Sequence, residues 1–201
     1  MARQTASQTV GPFFLYGLTP ELADGIRYTG YTANVLATED TAGEHIVVEG
    51  RVLDGEGDPV PDSMVEIWQA NAAGRYRHAE DDRADVPLDD SFRGFGRTGT
   101  DRAGAFRFHT VKPGPVPGLG NAWQAPHIVV CVFARGMLSH AYTRLYFSDE
   151  AEANAADPVL GAVDAARRPT LIAERAQSCG RTVYRFDIRL QGDGETVFFD
   201  V

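Results

Sequence analysis

The sequence has few cysteines, no long hydrophobic run and fewer basic than acidic residues. Cys131 and Cys179 are the two cysteines among 201 residues. A lone disulfide is unusual in a reducing compartment, so we expect free thiols. No run approaches the roughly 18 apolar residues of a membrane-spanning helix, and residues 1–5 lead into polar residues rather than an apolar signal core. Because the formal charge of −9 disfavours nucleic acid and anionic membranes, we expect a cytoplasmic protein with no nucleic-acid and no membrane partner.

Several catalytic motifs are also missing. The five histidines are His45, His78, His109, His127 and His140. No two of them have the spacing of a helical zinc pair, which disfavours a zinc enzyme. The sequence has no Gly-x-Ser-x-Gly elbow, no convincing Cys-His arrangement and no phosphate-binding glycine loop.

The composition favours a globular β protein. Hydrophobic residues make up 43% of the chain, enough for a substantial core, and 21 Gly and 11 Pro separate short apolar segments. This pattern predicts an all-β fold, an antiparallel β-sandwich with an extended N-terminal arm and short helical insertions. We expect one domain over residues 1–201, with an arm and lead-in over 1–44, the sandwich over 45–201 and a helical insertion near 148–176.

Local patterns place the individual elements. Strands are predicted at residues 46–53, 64–69, 106–109, 125–133, 143–147 and 184–191. The turn-rich segment 71–97 carries an acidic cluster at 80–82, which we interpret as a solvated loop. Helices are predicted to begin at Ser148 and at Pro169.

The predicted strand at 125–133 carries one histidine where a metal site would use two. Residues two apart in a strand point to the same face, so a His-x-His pair can bind one ion. Here His127 is followed at the second position by Val129, whose side chain has no lone pair. The alternative is that His127 is a hydrogen-bonded structural residue.

Tyr76 is the second candidate ligand. A phenolate binds hard, oxidised metals such as ferric iron, and the nearby arginines are expected to favour the ionised form. The alternative is a half-buried tyrosine at a strand end. Tyr76 and His127 together supply too few donors for a mononuclear iron centre.

Five short motifs then occur in order along the chain. They are residues 65–71 (VEIWQAN), 74–76 (GRY), 112–115 (KPGP), 126–128 (PHI) and 145–147 (LYF). Together with the arm at residues 7–12 and the closing residues 194–199, they resemble the intradiol ring-cleavage dioxygenases over nearly the whole chain.

The resemblance implies a β-sandwich and a non-haem Fe(III) held by two tyrosines and two histidines. The first tyrosine falls on Tyr76 and the first histidine on His127. The second tyrosine and the second histidine fall on Val116 and Val129. We therefore interpret these four residues as vestigial metal-site positions and predict no metal bound by this chain.

Some members of the family consist of two homologous chains, α and β, of which only β holds iron, and this sequence is similar to the α type. The resemblance implies a homologous β partner that carries the Fe(III), protocatechuate and O2 as substrates, and a higher oligomer of α–β heterodimers. The product that the resemblance implies is 3-carboxy-cis,cis-muconate. The residues that would line the partner's pocket are Thr9, Gly11, Pro12, Phe13 and Arg135, with an apolar contact from Phe13.

The sequence leaves alternatives to each of these interpretations. For the pocket-wall residues, the alternatives are that the arm only stabilises the subunit interface and that Arg135 is an ordinary surface arginine. For the function, one alternative is a self-sufficient intradiol dioxygenase whose ligands are replaced, for example by His109 or His140, and another is a β-sandwich binding module without enzymatic activity.

Overall fold

The computed structural model describes residues 9–11, 17–20 and 34–200. Residues 34–200 contain eleven β-strands. They are β1 (His45–Leu53), β2 (Met64–Trp68), β3 (Phe95–Gly99), β4 (Ala105–Val111), β5 (Val116–Pro117), β6 (Trp123–Gln124), β7 (His127–Phe133), β8 (Ala141–Phe147), β9 (Ile172–Ser178), β10 (Arg181–Arg185) and β11 (Ile188–Arg189).

Nine of these strands form one sheet that surrounds the core. Starting from β4, the neighbours run β4, β1, β10, β9, β8, β7, β2 and β3, and β11 pairs with the second half of β1. Strands β5 and β6 form a separate two-stranded sheet. The predicted β-sandwich with short helical insertions is thereby confirmed.

Among the described strands, three pairings are parallel: β1 with β10, β1 with β11, and β8 with β9. Parallel neighbours need a crossover connection, because a tight turn joins only antiparallel strands. The segment between β8 and β9 provides one such crossover, and it contains the helices of this region. They are α1 (Ala151–Ala156), α2 (Pro158–Ala162) and a short 3-10 helix (Arg168–Leu171).

The helical segment differs in detail from the sequence prediction. The first helix has Glu150 at its N-cap rather than Ser148, whose hydroxyl instead accepts a hydrogen bond from the backbone N–H of Arg175. The helix predicted from Pro169 is a 3-10 turn, after which residues 172–178 form β9 because they pair with β8 and β10. None of the helices in the part of the chain described by the structure has the length and apolarity that a bilayer crossing requires.

Alternation along β7 separates the core from the outer face of the sheet. Ile128, Val130 and Val132 are fully buried in the core, where they meet apolar residues of β1, β2, β4 and β8. His127 and Val129 point to the opposite face, as the two-residue period of a strand requires. The vestigial positions therefore lie outside the main core.

Strand β1 changes its neighbour at Gly50. The parallel pairing with β10 ends at Glu49 and Arg185, and the pairing with β11 begins at Val52 and Ile188. Between them, the N–H of Phe186 donates to the carbonyl oxygen of Glu49 over 2.9 Å. The predicted strand over 184–191 is consequently interrupted at residues 186–187.

Candidate functional site

The first two vestigial positions lie together in a surface cavity. Tyr76, Val116 and Trp68 are among the residues that line this cavity of about 650 Å³. Trp68, the last residue of β2, stacks on Tyr76 with ring centroids 5.9 Å apart and an interplanar angle of 11°. Val116 is fully buried. The position after Lys-Pro-Gly-Pro thus lines the same cavity as Tyr76.

Asn71 explains why the loop after β2 reaches residue 116. Its side-chain oxygen accepts hydrogen bonds from the backbone N–H groups of Ala73 and Arg75, which curls the loop. Its carbonyl oxygen accepts from the N–H of Gly114 over 3.0 Å. Gly74, at φ +81°, lies against the carbonyl group of Pro115, where a Cβ atom has no room. The VEIWQAN, GRY and KPGP motifs therefore interlock.

Tyr76 is kept in its neutral form. Burial raises the pKa of the phenol above its ordinary value and outweighs the opposite effect of Arg144 and Arg83. The expectation that nearby arginines favour the phenolate holds in direction, but the phenol stays neutral because burial is the larger effect. Arg83 is also paired with Asp81 over 2.6 Å.

One residue of the acidic cluster at 80–82, Asp81, has a structural role. Asp81 accepts a hydrogen bond from the backbone N–H of Tyr76 over 2.8 Å. Hydrogen bonding from Arg83 lowers the pKa of the Asp81 carboxyl to about 2. Asp81 thus anchors Tyr76, whereas Glu80 and Asp82 are exposed at the rim of the same cavity.

His127 is a buried, neutral residue. Its Nδ1 atom lies 2.8 Å from the carbonyl oxygen of Ala125, and since a carbonyl only accepts, Nδ1 carries the proton. The centroids of the His127 and Tyr146 rings lie 5.8 Å apart. Burial lowers the pKa of the imidazole to about 4, and the charge of Arg144 acts in the same direction. This arrangement matches the structural alternative for His127.

Asp157 holds the strand that carries His127. The side chain is buried and accepts hydrogen bonds from the N–H of Ala125, from the N–H groups of Val159 and Leu160, and from the hydroxyl of Tyr146. One carboxylate therefore caps α2 and fixes the entrance of β7. The sequence signal is the Asp-Pro pair at the start of α2, which is typical of an N-cap followed by proline at N1.

The donors around these positions do not fit ferric iron. Val129 lies opposite Trp68 on one side and Arg144 on the other, so its position is surrounded by an apolar ring and a fixed cation. Val116 contributes a second isopropyl group. Within residues 9–11, 17–20 and 34–200, no three His, Cys, Asp or Glu side chains are grouped so that they could hold a metal ion.

The histidines considered as replacement ligands lie elsewhere. His109 belongs to β4, where it pairs with Val47 of β1. His140 stacks on Phe133 at 5.5 Å. Since Phe133 ends the strand that His127 begins, His140 lies roughly 20 Å from His127 at the rise of a β-strand. Neither residue completes the vestigial centre.

The predicted pocket-wall residues are only partly described. The hydroxyl of Thr9 accepts a hydrogen bond from the N–H of Gly136 over 3.3 Å, which places Thr9 beside the loop of Arg135. The Arg135 side chain is 66% exposed and pairs with Asp62 over 2.7 Å. Gly11 is exposed, whereas Pro12 and Phe13 lie outside the described residues.

The two cysteines are free thiols, as expected from their number. Cys131 lies on the same strand face as His127 and Val129, and burial raises the pKa of its thiol to about 11. The thiol is therefore protonated at neutral pH and a poor nucleophile.

Comparison with known proteins identifies relatives of this chain. A family model described as "Dioxygenase" matches residues 30–192. The chain is 49% identical to the protocatechuate 3,4-dioxygenase alpha chain of Pseudomonas putida, covering 98% of this chain and 96% of that one. It is 50% identical to the alpha chain of Burkholderia cepacia, with coverages of 99% and 98%. Identity to the beta chain of Burkholderia cepacia is 41%, with coverages of 82% and 72%.

A solved structure supports the same fold. Hydroxyquinol 1,2-dioxygenase from Pseudomonas putida DLL-E4 aligns with a TM-score of 0.61 and 22% identity, covering 94% of this chain and 67% of that chain. The chain therefore belongs to the intradiol ring-cleavage dioxygenase family. Within that family, two relatives that match it over nearly their whole length are alpha chains of protocatechuate 3,4-dioxygenase, which confirms the resemblance.

Proposed function

We propose that this chain is the α subunit of a protocatechuate 3,4-dioxygenase and lacks an iron site of its own. It pairs with a homologous β chain that holds Fe(III), and heterodimers of the two assemble further in the cytoplasm. The observation that carries the proposal is the pair of valines at 116 and 129, within a chain that matches α chains from end to end.

The assembly inserts both atoms of O2 into the ring of protocatechuate and opens it between the two hydroxylated carbons, giving 3-carboxy-cis,cis-muconate. When bound in the β chain, Fe(III) supplies the activation of the catechol toward O2. The α chain shapes the pocket and contributes no redox step. This activity belongs to the breakdown of aromatic compounds.

Arg135 and the arm are the proposed contributions of this chain to the partner's pocket. Thr9 and Gly136 join the arm to the loop of Arg135, so both form one surface. Asp62 holds the guanidinium through contacts of 2.7 Å to Nη2 and 3.3 Å to Nε, which fixes its direction while most of the side chain stays exposed. A fixed guanidinium recognises the carboxylate of a benzoate, and Gly11, Pro12 and Phe13 are proposed to approach the flat ring.

The two alternative functions are not favoured. A self-sufficient dioxygenase needs replacement ligands, and His109 and His140 lie away from Tyr76 and His127. A binding module without enzymatic activity does not account for the match to subunits of a dioxygenase over nearly the whole chain.

Separate and joint expression tests the proposal. The chain expressed alone, and supplied with ferric iron, is expected to show no tyrosinate-to-iron absorption band and no ring cleavage. Co-expressed with a homologous β chain, it is expected to form a complex that cleaves protocatechuate faster than the β chain alone. A visible charge-transfer band with ring cleavage by the isolated chain would overturn the assignment.

Replacing Arg135 by alanine in the complex is expected to raise KM for protocatechuate about tenfold, because a charge-assisted contact to the substrate carboxylate is worth about 1.5 kcal/mol or more. The iron absorption band should remain unchanged, since Arg135 touches no metal. Arg102→Ala, another exposed arginine, serves as the matched control. Unchanged steady-state kinetics in Arg135→Ala would remove this residue from the pocket.

A further inference from the structure

Arg144 links the surroundings of the two valines that replace metal-ligand positions. In the pairing of β7 with β8, Arg144 lies directly opposite Val129. Its Nη1 atom donates to Oε1 of Gln124 over 2.6 Å. Gln124 is in turn the cross-strand partner of Val116 in the pairing of β5 with β6. Arg144 thus connects the places of both missing ligands.

The two remaining ligand positions also feel this charge. Burial raises the pKa of the Tyr76 phenol and Arg144 opposes this, whereas burial and Arg144 both lower the pKa of the His127 imidazole. Trp68 completes the arrangement, because it lies opposite Val129 and stacks on Tyr76. The permanently charged guanidinium of Arg144 thus belongs to the residue opposite Val129, is joined through Gln124 to the strand pair of Val116, and acts electrostatically on Tyr76 and His127.

We infer that Arg144 is a built-in cation that takes over the place of the metal: it holds the β5–β6 hairpin to the sheet and keeps metal cations out. The inference rests on the proposed function, since it treats residues 76, 116, 127 and 129 as positions of a lost iron site. It goes beyond that function because it assigns the loss of iron binding to an added positive charge as well as to two removed donors.

The charge of Arg144 and its register opposite Val129 both oppose cation binding. Residues opposite each other in an antiparallel pair have Cβ atoms about 5 Å apart, so a ligand at position 129 would hold an ion on the strand face from which Arg144 projects. Like charges at short range repel strongly even at an intermediate dielectric constant. Restoring the donors alone would therefore leave a site that still rejects cations.

Ligand-restored variants of the full chain test this directly. We expect the double variant Val116→Tyr/Val129→His to bind iron supplied as ferric citrate weakly or not at all. Adding Arg144→Gln to this pair is expected to raise the affinity at least ~100-fold, with about one iron per chain and a tyrosinate-to-iron absorption band. Arg144→Lys in the same background keeps the charge and should bind as weakly as the pair. Equal affinities with and without Arg144, or no iron in any folded variant, would overturn the inference.

A metal-independent measurement covers the case in which the restored variants fail to fold. Arg144→Gln in the natural sequence leaves the side-chain oxygen Oε1 of Gln124 without its donor, and Tm is expected to fall by roughly 5 °C. Arg144→Lys should retain most of the stability. Arg102→Gln is the control because Arg102 is an exposed arginine in the turn before β4. A Tm change in Arg144→Gln no larger than in the control contradicts the bridging role.

These outcomes are separable from those of the proposed function. Iron binding and ring cleavage by the unaltered chain would refute the subunit assignment, whatever the variants do. The role of Arg144 is decided by the comparison among variants that differ only at residue 144.

Discussion

Replacing Asp157 by alanine is expected to lower the free energy of unfolding by about 4 kcal/mol, because four donors lose their partner at once. Three of them are backbone N–H groups, at Ala125, Val159 and Leu160, and the fourth is the hydroxyl of Tyr146. All surround a side chain that is almost fully buried, so water does not replace the carboxylate. Urea unfolding at a fixed protein concentration measures the loss.

Two milder variants divide the effect. Asp157→Asn keeps an acceptor for the first turn of α2 but turns an amide N–H2 toward the N–H of Ala125, and about half the loss is expected. Tyr146→Phe removes one hydrogen bond and should lower the stability by about 1 kcal/mol. A loss below 1 kcal/mol in Asp157→Ala would show that Asp157 does not anchor the strand of His127.

Gly50→Ala is the second substitution with a large expected effect, a loss of about 3 kcal/mol or more in the free energy of unfolding. A Cβ atom on Gly50 would overlap the carbonyl oxygen of Phe186 and lie 2.6 Å from its carbonyl carbon. Both atoms belong to the backbone at the point where β1 changes from β10 to β11. The strands must therefore separate locally to admit a methyl group.

Gly161→Ala is the matched control. Gly161 lies on the exposed side of α2, and no atom lies within 4 Å of its ideal Cβ position. Alanine favours the helix over glycine, so the free energy of unfolding should rise by a few tenths of a kcal/mol or more. Equal urea midpoints for the two variants would contradict the steric account of Gly50.

The strands with regular alternation could be predicted from the sequence, and the others could not. β4 follows apolar residues of period two, and β1, β2 and β8 carry short apolar runs between turns; the bounds of all four agree with the prediction within a few residues. β3 was hidden inside the turn-rich segment because Phe95–Gly99 has two glycines and little apolar pattern. The parallel pairings depend on distant partners, which no local pattern encodes.

The residues of the candidate site also divide into those that the sequence could predict and those that it could not. Tyr76, Val116, His127 and Val129 could be found from motif order, because their residue types and spacing carry the information. Arg144 could not, since its role depends on the strand opposite Val129 and on the hairpin that carries Gln124. Alternation in β8 does place Arg144 and Tyr146 on one face, which is the signal that a pairing register would have made useful.

The late pairing of β1 has a consequence for how the chain is made. β1 receives two of its neighbours, β10 and β11, only from residues 181–189, near the C-terminal end of the described chain. Contacts between such distant segments close large loops and slow folding. During synthesis β1 therefore lacks these two neighbours until the last strands leave the ribosome, and chaperone binding is expected in that interval.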